Sequence, residues 1–207
     1  MVSDIDLRMG TESRLWNLIE ERSKAGKEDV EAIDRYIWEM FGERWAVVFT
    51  DLEGFSRKTR NFGITHFIQT IFESKRLLFP VIRKHRGFLV KSEADSLMLL
   101  FRTTKSAVEC MIEGQKVLQN FNDRRIEEDK VHLCVGIGVG EVLRIGEHDV
   151  WGQEVNAASK LGEDTAEAGE ILVTEAAYLE LKENKALSFK RLVEDVAGSS
   201  ENYKLSW

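Results

Sequence analysis

The chain has 207 residues, of which 43% are hydrophobic and 31% are charged, which is enough for one domain with its own core and a small extension. Its formal net charge of −7 at pH 7 disfavours a nucleic-acid-binding protein, because non-specific binding to phosphates needs a basic face. No apolar run approaches the roughly 20 residues of a membrane-spanning helix, and the acidic N-terminus has no signal-peptide core.

The two cysteines predict the redox environment of the chain. Cys110 falls in a helix-like run and Cys134 in a strand-like run, without the spacing of metal ligands. Such a pair predicts buried free thiols in a reducing compartment. We therefore expect a cytoplasmic protein with no membrane span and no nucleic-acid partner.

Two short amphipathic helices are predicted ahead of the main domain. Apolar residues recur at helical spacing from Thr11 to about Arg22, and again from Val30 to Phe41. We expect an N-terminal helical extension, residues 1–43, and a main domain, residues 44–207. Helices this short do not fold alone. They either pad the core of the main domain or act in dimerisation or regulation, and the sequence leaves both alternatives open.

The first half of the main domain predicts a strand, a helix, a hairpin and a second helix. The strand runs from Trp45 to Thr50, and the helix over residues 64–85 is expected to break or restart near Pro80. Strands at 88–91 and 96–101 enclose a tight turn that carries Asp95 at its tip. A helix over 103–121 follows.

The second half is dominated by a strand that alternates large and small residues. Apolar residues from Val131 to Val139 alternate with a face that includes Gly136, Gly138 and Gly140, so a helix or a ligand should pack closely there. Further strands are predicted at 141–145, 170–174, 187–196 and 202–205, and helices at 153–164 and 175–181. This order predicts an α+β fold with helices over one sheet.

Two aspartates are candidate metal ligands. Asp51 ends the first strand, so it is held rigidly but faces solvent, and the following turn offers Gly54 and the hydroxyl of Ser56 to a phosphate. Asp95 lies 44 residues further on. Together they could hold a pair of Mg²⁺ or Mn²⁺ ions. From the residues alone, they could equally be solvated turn residues or helix caps.

Three segments resemble the motifs of class III nucleotidyl cyclases, in the adenylyl type. They are Asp-Leu-Glu-Gly-Phe-Ser at 51–56, Lys-Ser-Glu-Ala-Asp-Ser at 91–96, and Asp-Val-Trp-Gly-Gln-Glu-Val-Asn-Ala-Ala-Ser-Lys at 149–160. The third is the most specific, and the resemblance covers about residues 44–178. It implies a ferredoxin-like βαββαβ cyclase core behind the two N-terminal helices.

The resemblance also implies a reaction. Members of the family convert a nucleoside triphosphate, here ATP, into a 3′,5′-cyclic monophosphate and pyrophosphate, by attack of the ribose 3′-hydroxyl on the α-phosphate. They work as dimers with the active sites at the interface, so a second copy of the chain is the implied partner. By position, Asp51 and Asp95 match the ligands of two Mg²⁺ or Mn²⁺ ions, and Leu52 matches the residue that lends a backbone carbonyl. Glu53, Gly54, Phe55 and Ser56 match the turn around the triphosphate.

The remaining matched positions would contact the base, the ribose and the phosphates. Lys91 and Asp149 match the base-reading pair, in which the cation donates to a ring nitrogen and the carboxylate accepts from the exocyclic amine of adenine. Asn156 matches the residue that orients the ribose, and Arg144 a triphosphate contact of some members. Lys160 stands where the family commonly has an arginine that stabilises charge on phosphorus, and it lacks the planar fork.

Besides Lys160, the sequence departs from the pattern of the cyclase family at two further places. The segment 196–201 has no lysine where many cyclases place one on the terminal phosphates, and Ala94 stands beside Asp95 where the family usually has a glycine. Two alternatives to an adenylate cyclase therefore stay open. One is a nucleotide-binding or regulatory module with weakened catalysis, and the other is a cyclase that prefers GTP or a pyrimidine triphosphate.

Overall fold

The computed structural model describes residues 12–193 and 195–207, and only the backbone of residues 55–58. The helices are α1 (Glu12–Lys24), α2 (Lys27–Phe41), α3 (Phe55–Phe62), α4 (Ile64–Lys84), α5 (Thr104–Asn122), α6 (Gln153–Ser159) and α7 (Glu175–Leu181). The strands are β1 (Gly42–Leu52), β2 (Phe88–Glu93), β3 (Ser96–Phe101), β4 (Leu133–Ile145), β5 (Asp149–Trp151), β6 (Ile171–Thr174), β7 (Ser188–Arg191) and β8 (Asn202–Ser206). A 3₁₀ turn spans Glu127–Asp129, and a π-helical turn spans Lys160–Thr165.

The strands form one mixed sheet in the order β2-β3-β1-β4-β6-β8-β7, and β5 pairs with the end of β4. β1 is central and pairs antiparallel with β3 on one side and β4 on the other. β4 and β6 are parallel. The α+β architecture and the two N-terminal helices expected from the sequence are confirmed.

Helices cover both faces of the sheet. The larger core, which includes Val48, Phe67, Leu99 and Met111, lies on one face with α4, α5 and α7. A smaller core on the other face gathers Trp45, Leu100 and Val150, and α6 packs over it. A third cluster joins α1 and α2 to the end of β4. None of the described helices combines the length and apolarity needed to cross a membrane.

The glycine face of β4 is covered by α6. A Cβ on Gly136 would lie 2.1 Å from the carbonyl oxygen of Ala158, and one on Gly138 would lie 2.7 Å from that of Glu154. No side chain larger than hydrogen fits at these distances. The small residues therefore admit a helix rather than a ligand. Cys110 and Cys134 are free and buried, as expected, and burial raises the pKa of each thiol to about 12.

Several predicted boundaries were wrong for identifiable reasons. α4 continues through Pro80, because that residue is exposed and water can satisfy the carbonyl left without a donor. β4 is one strand to Ile145, since Gly42 to Trp45 of β1 pair with its second half. The helix predicted over 153–164 changes to a π turn after Ser159, where Gly162 packs against the backbone of Phe49. α3 and β5 were not predicted, and β7 ends at Arg191, well before the expected boundary.

Candidate active site

The end of β1 brings Asp51 and Asp95 together. Asp51 lies opposite Cys134 of β4, and the adjacent Leu52, only 2% exposed, anchors this end of the strand in the core. Asp95 sits at the tip of the β2–β3 hairpin, and its carboxyl is close enough to share a hydrogen bond with Asp51. The hydroxyl of Ser96 donates to Oδ1 of Asp51 at 3.2 Å. Two carboxylates are thus held side by side at one edge of the sheet.

This pair concentrates negative charge. Burial, followed by the charge of Asp95, raises the pKa of Asp51 to about 6. Burial also raises the pKa of Asp95, although the positive charge of Lys75 on α4 opposes the change. No group of three or more His, Cys, Asp or Glu side chains suited to a metal occurs in residues 12–193 and 195–207. Two carboxylates with open positions fit Mg²⁺, which is held by one or two carboxylates together with substrate phosphates.

The turn after Asp51 leads directly into a helix. The amide of Glu53 donates to the carbonyl of His132 at 3.0 Å, which ties the turn to the residue just before β4. Gly54 has φ 87° and ψ 21°, a left-handed conformation that glycine adopts without strain, and α3 begins at the next residue. The amides at a helix start attract phosphate. The side chains of Phe55 and Ser56 lie outside the described residues.

A second constellation, which we call the base end, pairs Lys91 of β2 with Asp149 of β5. Nζ of Lys91 lies 2.9 Å from Oδ2 of Asp149. The amide of Val150 donates to Oδ1 of the same carboxylate at 2.9 Å. Asp149 is thus a strand residue with both oxygens engaged. A pocket of about 240 Å³ beside it has apolar walls that include Trp45, Phe88 and Val150.

Arg144 belongs to the base end. It lines the same pocket as Asp149. Its Nε donates to the carbonyl of Gly146 at 3.1 Å, and one terminal nitrogen lies 3.7 Å from Oε1 of Glu43. Its guanidinium also lies over the ring of Trp45, 5.7 Å from the centroid. The structure therefore places Arg144 beside Asp149, next to the ring of Trp45 and the carboxylate of Glu43.

Asn156 and Lys160 lie at the exposed end of α6. Asn156 is on the last full turn, and Lys160 caps the helix as the π turn begins. Nζ of Lys160 lies 2.5 Å from Oδ2 of Asp164, and this contact raises the pKa of the lysine. Within one chain, Lys160, the residue that the resemblance predicts to contact the phosphates, is thus paired with the carboxylate of Asp164.

Sequence reasoning missed three side chains around these sites. Ser96 steadies Asp51, and Glu43 holds Arg144. Glu154 is half-buried, and its Oε2 accepts from the amide of Val139 at 3.1 Å and from the hydroxyl of Thr174 at 2.7 Å. The glycines of β4 could have indicated Glu154, because the space that they leave beside the strand is filled by a long side chain from α6. Nothing in the sequence pattern singled out Glu43.

Comparison with known proteins assigns the fold to a family. The family model described as the adenylate and guanylate cyclase catalytic domain matches residues 42–205. A stretch of 133 residues is 30% identical to a serine/threonine-protein kinase of Myxococcus xanthus, covering 64% of this chain and 16% of the kinase. An adenylate cyclase of Mycobacterium tuberculosis is 25% identical over 182 residues, 82% of this chain and 39% of that protein.

Solved structures agree on the fold. The adenylate/guanylate cyclase/hydrolase of Silicibacter pomeroyi superposes with a TM-score of 0.68 at 22% identity, over 79% of this chain and 96% of that one. The chain spans well under half of the two curated relatives named above. The extent of the family match nevertheless settles the classification: the chain belongs to the family of adenylate and guanylate cyclase catalytic domains.

Proposed function

We propose that the chain is an adenylate cyclase that converts ATP to 3′,5′-cyclic AMP and pyrophosphate. The observation that carries the choice of ATP is the 2.9 Å contact between Lys91 and Asp149. A carboxylate can accept from the amine of adenine, and an ammonium can donate to its ring nitrogen, whereas guanine presents the reverse pattern. The Mycobacterium tuberculosis relative is named an adenylate cyclase, which supports the same choice.

The pair of Asp51 and Asp95 with the turn that follows Asp51, which we call the metal end, would bind the triphosphate. Asp51, Asp95 and the carbonyl of Leu52 would hold two Mg²⁺ or Mn²⁺ ions, which supply charge stabilisation on the triphosphate and a lower pKa for the ribose hydroxyl. The turn formed by Glu53 and Gly54, with Phe55 and Ser56 at the start of α3, would wrap the phosphates with backbone amides. The side chain of Ser96 keeps Asp51 oriented toward this space.

The other residues would bind and orient the rest of the nucleotide. Lys91 and Asp149 fix the base, and Asn156 orients the ribose so that its 3′-oxygen lies in line with the α-phosphorus. The 3′-hydroxyl loses its proton to water, its oxygen bonds to the α-phosphorus, the bond from that phosphorus to the bridging oxygen breaks, and pyrophosphate leaves with the electron pair. Lys160, released from Asp164, and Arg144 would neutralise charge that develops on the phosphates.

We further propose that the working unit is a homodimer with active sites between its two copies. Asn156 and Lys160 are exposed, and Lys160 is occupied by Asp164 in the single chain. Both features suit residues that meet their ligand only when a second copy is present. The metal end of one copy would then face the base end and α6 of the other.

A second candidate, a nucleotide-binding module with weakened catalysis, is favoured by the C-terminal loop. Gly198 lies in this loop with φ 101°, and its carbonyl accepts from Nε2 of Gln153 at 2.9 Å. The loop thus packs on the start of α6 without offering a lysine to the terminal phosphates. This candidate predicts ATP binding without turnover.

An assay of all four nucleoside triphosphates with Mg²⁺ or Mn²⁺, with products identified by mass spectrometry, separates the candidates. The proposal predicts cyclic AMP and pyrophosphate from ATP, at a higher kcat/KM than for any other nucleotide. ATP binding with no cyclic product under either metal would favour the regulatory module. Preferred turnover of GTP, CTP or UTP would contradict the choice of base. Lys91→Glu should weaken the use of ATP in particular, by roughly tenfold to a hundredfold in kcat/KM.

A further inference from the structure

The β4–β5 ribbon, residues Leu143–Trp151, carries the base end. Ile145 pairs with Asp149, and Leu143 pairs with Trp151. Residues directly opposite in an antiparallel pair share one face, so Leu143, Ile145, Asp149 and Trp151 lie on the same face. Val150 points to the opposite face, where it is 2% exposed in the core with Trp45. The orientation of Asp149 is therefore set by whatever packs on both sides of this short ribbon.

One of those faces is covered by α1 and α2. Ile145, 5% exposed, shares a buried cluster with Leu15 and Leu18 of α1 and with Ile37 and Phe41 of α2. Leu143 packs against the same cluster. These two helices precede the region that the cyclase family model covers, which begins at residue 42. The extension thus forms part of the hydrophobic support of the ribbon.

An aromatic contact joins α1 to β5. The rings of Trp16 and Trp151 are 5.8 Å apart at their centroids and inclined by 65°, an edge-to-face pair. The indole nitrogen of Trp16 donates to Oε1 of Glu12 at 3.1 Å, which fixes its orientation on the helix. Trp151 is two residues from Asp149 on the same face, so a displacement of one ring displaces the carboxylate.

A polar contact links the end of α2 to the same ribbon. Glu43 follows α2 by two residues, and its Oε2 accepts from the indole nitrogen of Trp45 at 2.9 Å. Its other oxygen lies 3.7 Å from Arg144 on β4. The ribbon is therefore contacted by α1 through Trp16 and by the first residues of β1, just after α2, through Glu43.

We propose that Trp16 is a positioning residue for base discrimination: through Trp151 it holds Asp149 in register with Lys91, so the N-terminal helical hairpin sets how strictly the site reads a purine base. This inference rests on the proposed function for its substrate. Trp16 lies outside the buried cluster, so core packing does not account for it, and the proposal gives this part of the extension a role. Trp16 is 49% exposed, and its removal leaves the buried cluster of Leu15 and Leu18 in place.

The chain offers a matched control for this idea. Trp38 lies on α2 of the same hairpin and is 44% exposed. Trp38→Ala removes an equal side chain with similar exposure, from the helix that does not carry the ring contact to Trp151. Trp16→Phe keeps an aromatic ring against Trp151 and serves as the conservative rescue.

Two readouts on the full chain test the proposal. Hydrogen exchange of the amides in residues 143–151 should accelerate by about tenfold in Trp16→Ala, because the ribbon opens more easily. The ratio of kcat/KM for ATP to that for GTP should fall by about threefold to tenfold, through a higher KM for ATP. Trp38→Ala should change neither quantity by more than about twofold, and Trp16→Phe should restore both.

The outcomes separate this inference from the proposed function. If the wild-type chain turns over ATP and Trp16→Ala keeps its base discrimination, the positioning role is refuted while the function stands. Unchanged exchange in the ribbon refutes it as well. If the wild-type chain turns over no nucleotide, the proposed function fails, and the exchange comparison still decides whether Trp16 holds the ribbon.

Discussion

The metal end and the base end of this site are built on different kinds of support. Asp51 ends the central strand, which is paired on both sides, and Asp95 is held beside it by a short hairpin. Asp149 lies instead on a three-residue strand that pairs with β4, steadied by helices outside the sheet. The metal end is thus fixed by strand pairing but carries excess negative charge. At the base end the charges of Lys91 and Asp149 balance, but the position of Asp149 depends on the helices that pack against its ribbon. The proposed roles divide in the same way: the metal end would hold the ions and the phosphates, and the base end would select the nucleotide.

Removing a carboxylate from the metal end gives the largest expected effect. If Asp51 and Asp95 hold the catalytic ions as proposed, Asp51→Asn and Asp95→Asn should each lower kcat by at least roughly a hundredfold, because each variant loses a metal ligand. Neither should lower the thermal midpoint of the metal-free protein, since a repulsion is removed and the amide oxygen introduced by Asp51→Asn can still accept from Ser96. The exposed neighbour Glu93 provides the control, and Glu93→Gln should remain active. Comparable losses in Glu93→Gln would mean that the hairpin, and not the pair of aspartates, is at fault.

Replacing Lys160, which follows the last residue of α6, should change kcat less and in the opposite direction. Lys160→Arg should raise kcat by about threefold to tenfold, because a planar guanidinium can contact two phosphate oxygens. Steady-state kinetics with ATP measure the change. Lys105→Arg is the matched control, since Lys105 is also exposed and paired with an acid four residues away, Glu109. Unchanged or reduced turnover in Lys160→Arg would show that the lysine is not the limiting departure from the family.

Glu154, between the two ends, should make stability depend on pH. Burial raises its pKa above the usual 4.5, although its contacts with Thr174 and Val139 oppose the change. A folded pKa above the unfolded one means that the carboxyl stabilises the fold most at pH values below the unfolded pKa. That contribution is lost as the pH rises through the folded pKa.

Glu154→Gln tests this by keeping an acceptor for both donors while removing the titration. Relative to wild type, its free energy of unfolding should improve as the pH rises from about 4 to about 8. Urea denaturation at both pH values measures the change. The exposed Glu21→Gln should show no such trend. If the free energy of unfolding of Glu154→Gln, relative to wild type, falls as the pH rises, the pKa of Glu154 is lowered by folding and not raised.

The hairpin tip at the metal end gives the smallest effect. Ala94 has φ 47°, a left-handed conformation that costs a residue with a Cβ roughly 1–2 kcal/mol. Glycine avoids that cost but loses about 0.5–1 kcal/mol through its freer unfolded chain. Ala94→Gly should therefore leave the free energy of unfolding unchanged or raise it by up to about 1.5 kcal/mol.

Ala166 is the control for that substitution, because its φ is −66°. Ala166→Gly should lose about 0.5–1 kcal/mol in the same denaturation experiment. Equal losses in the two variants would contradict the strain at Ala94. The strain also explains why a glycine is the usual residue beside this aspartate in the family.

The sequence predicted the strand and hairpin around Asp51 and Asp95, and the pairing of Lys91 with Asp149, but not what supports the ribbon that carries Asp149. Asp51 ends a strand whose apolar residues identify it locally, and the hairpin that carries Asp95 is set by neighbouring residues. The ribbon that carries Asp149 contacts Leu15, Trp16 and Glu43, which lie about a hundred residues or more away in sequence, so no local pattern reveals its support. The same distinction explains Pro80, because its tolerance depends on solvent exposure that no local pattern reveals.

Mixing two inactive variants tests the proposed two-chain site most directly. Asp51→Asn disables the metal end and Asn156→Ala disables the α6 contribution, so each homodimer should be nearly inactive. If each site combines the metal end of one copy with α6 of the other, a mixed dimer contains one intact site of two. Equal amounts, exchanged and assayed with ATP and Mn²⁺, should recover about a quarter of the wild-type rate of cyclic AMP formation, since half of the dimers are mixed. A mixture no more active than its two components would contradict a site shared between two copies.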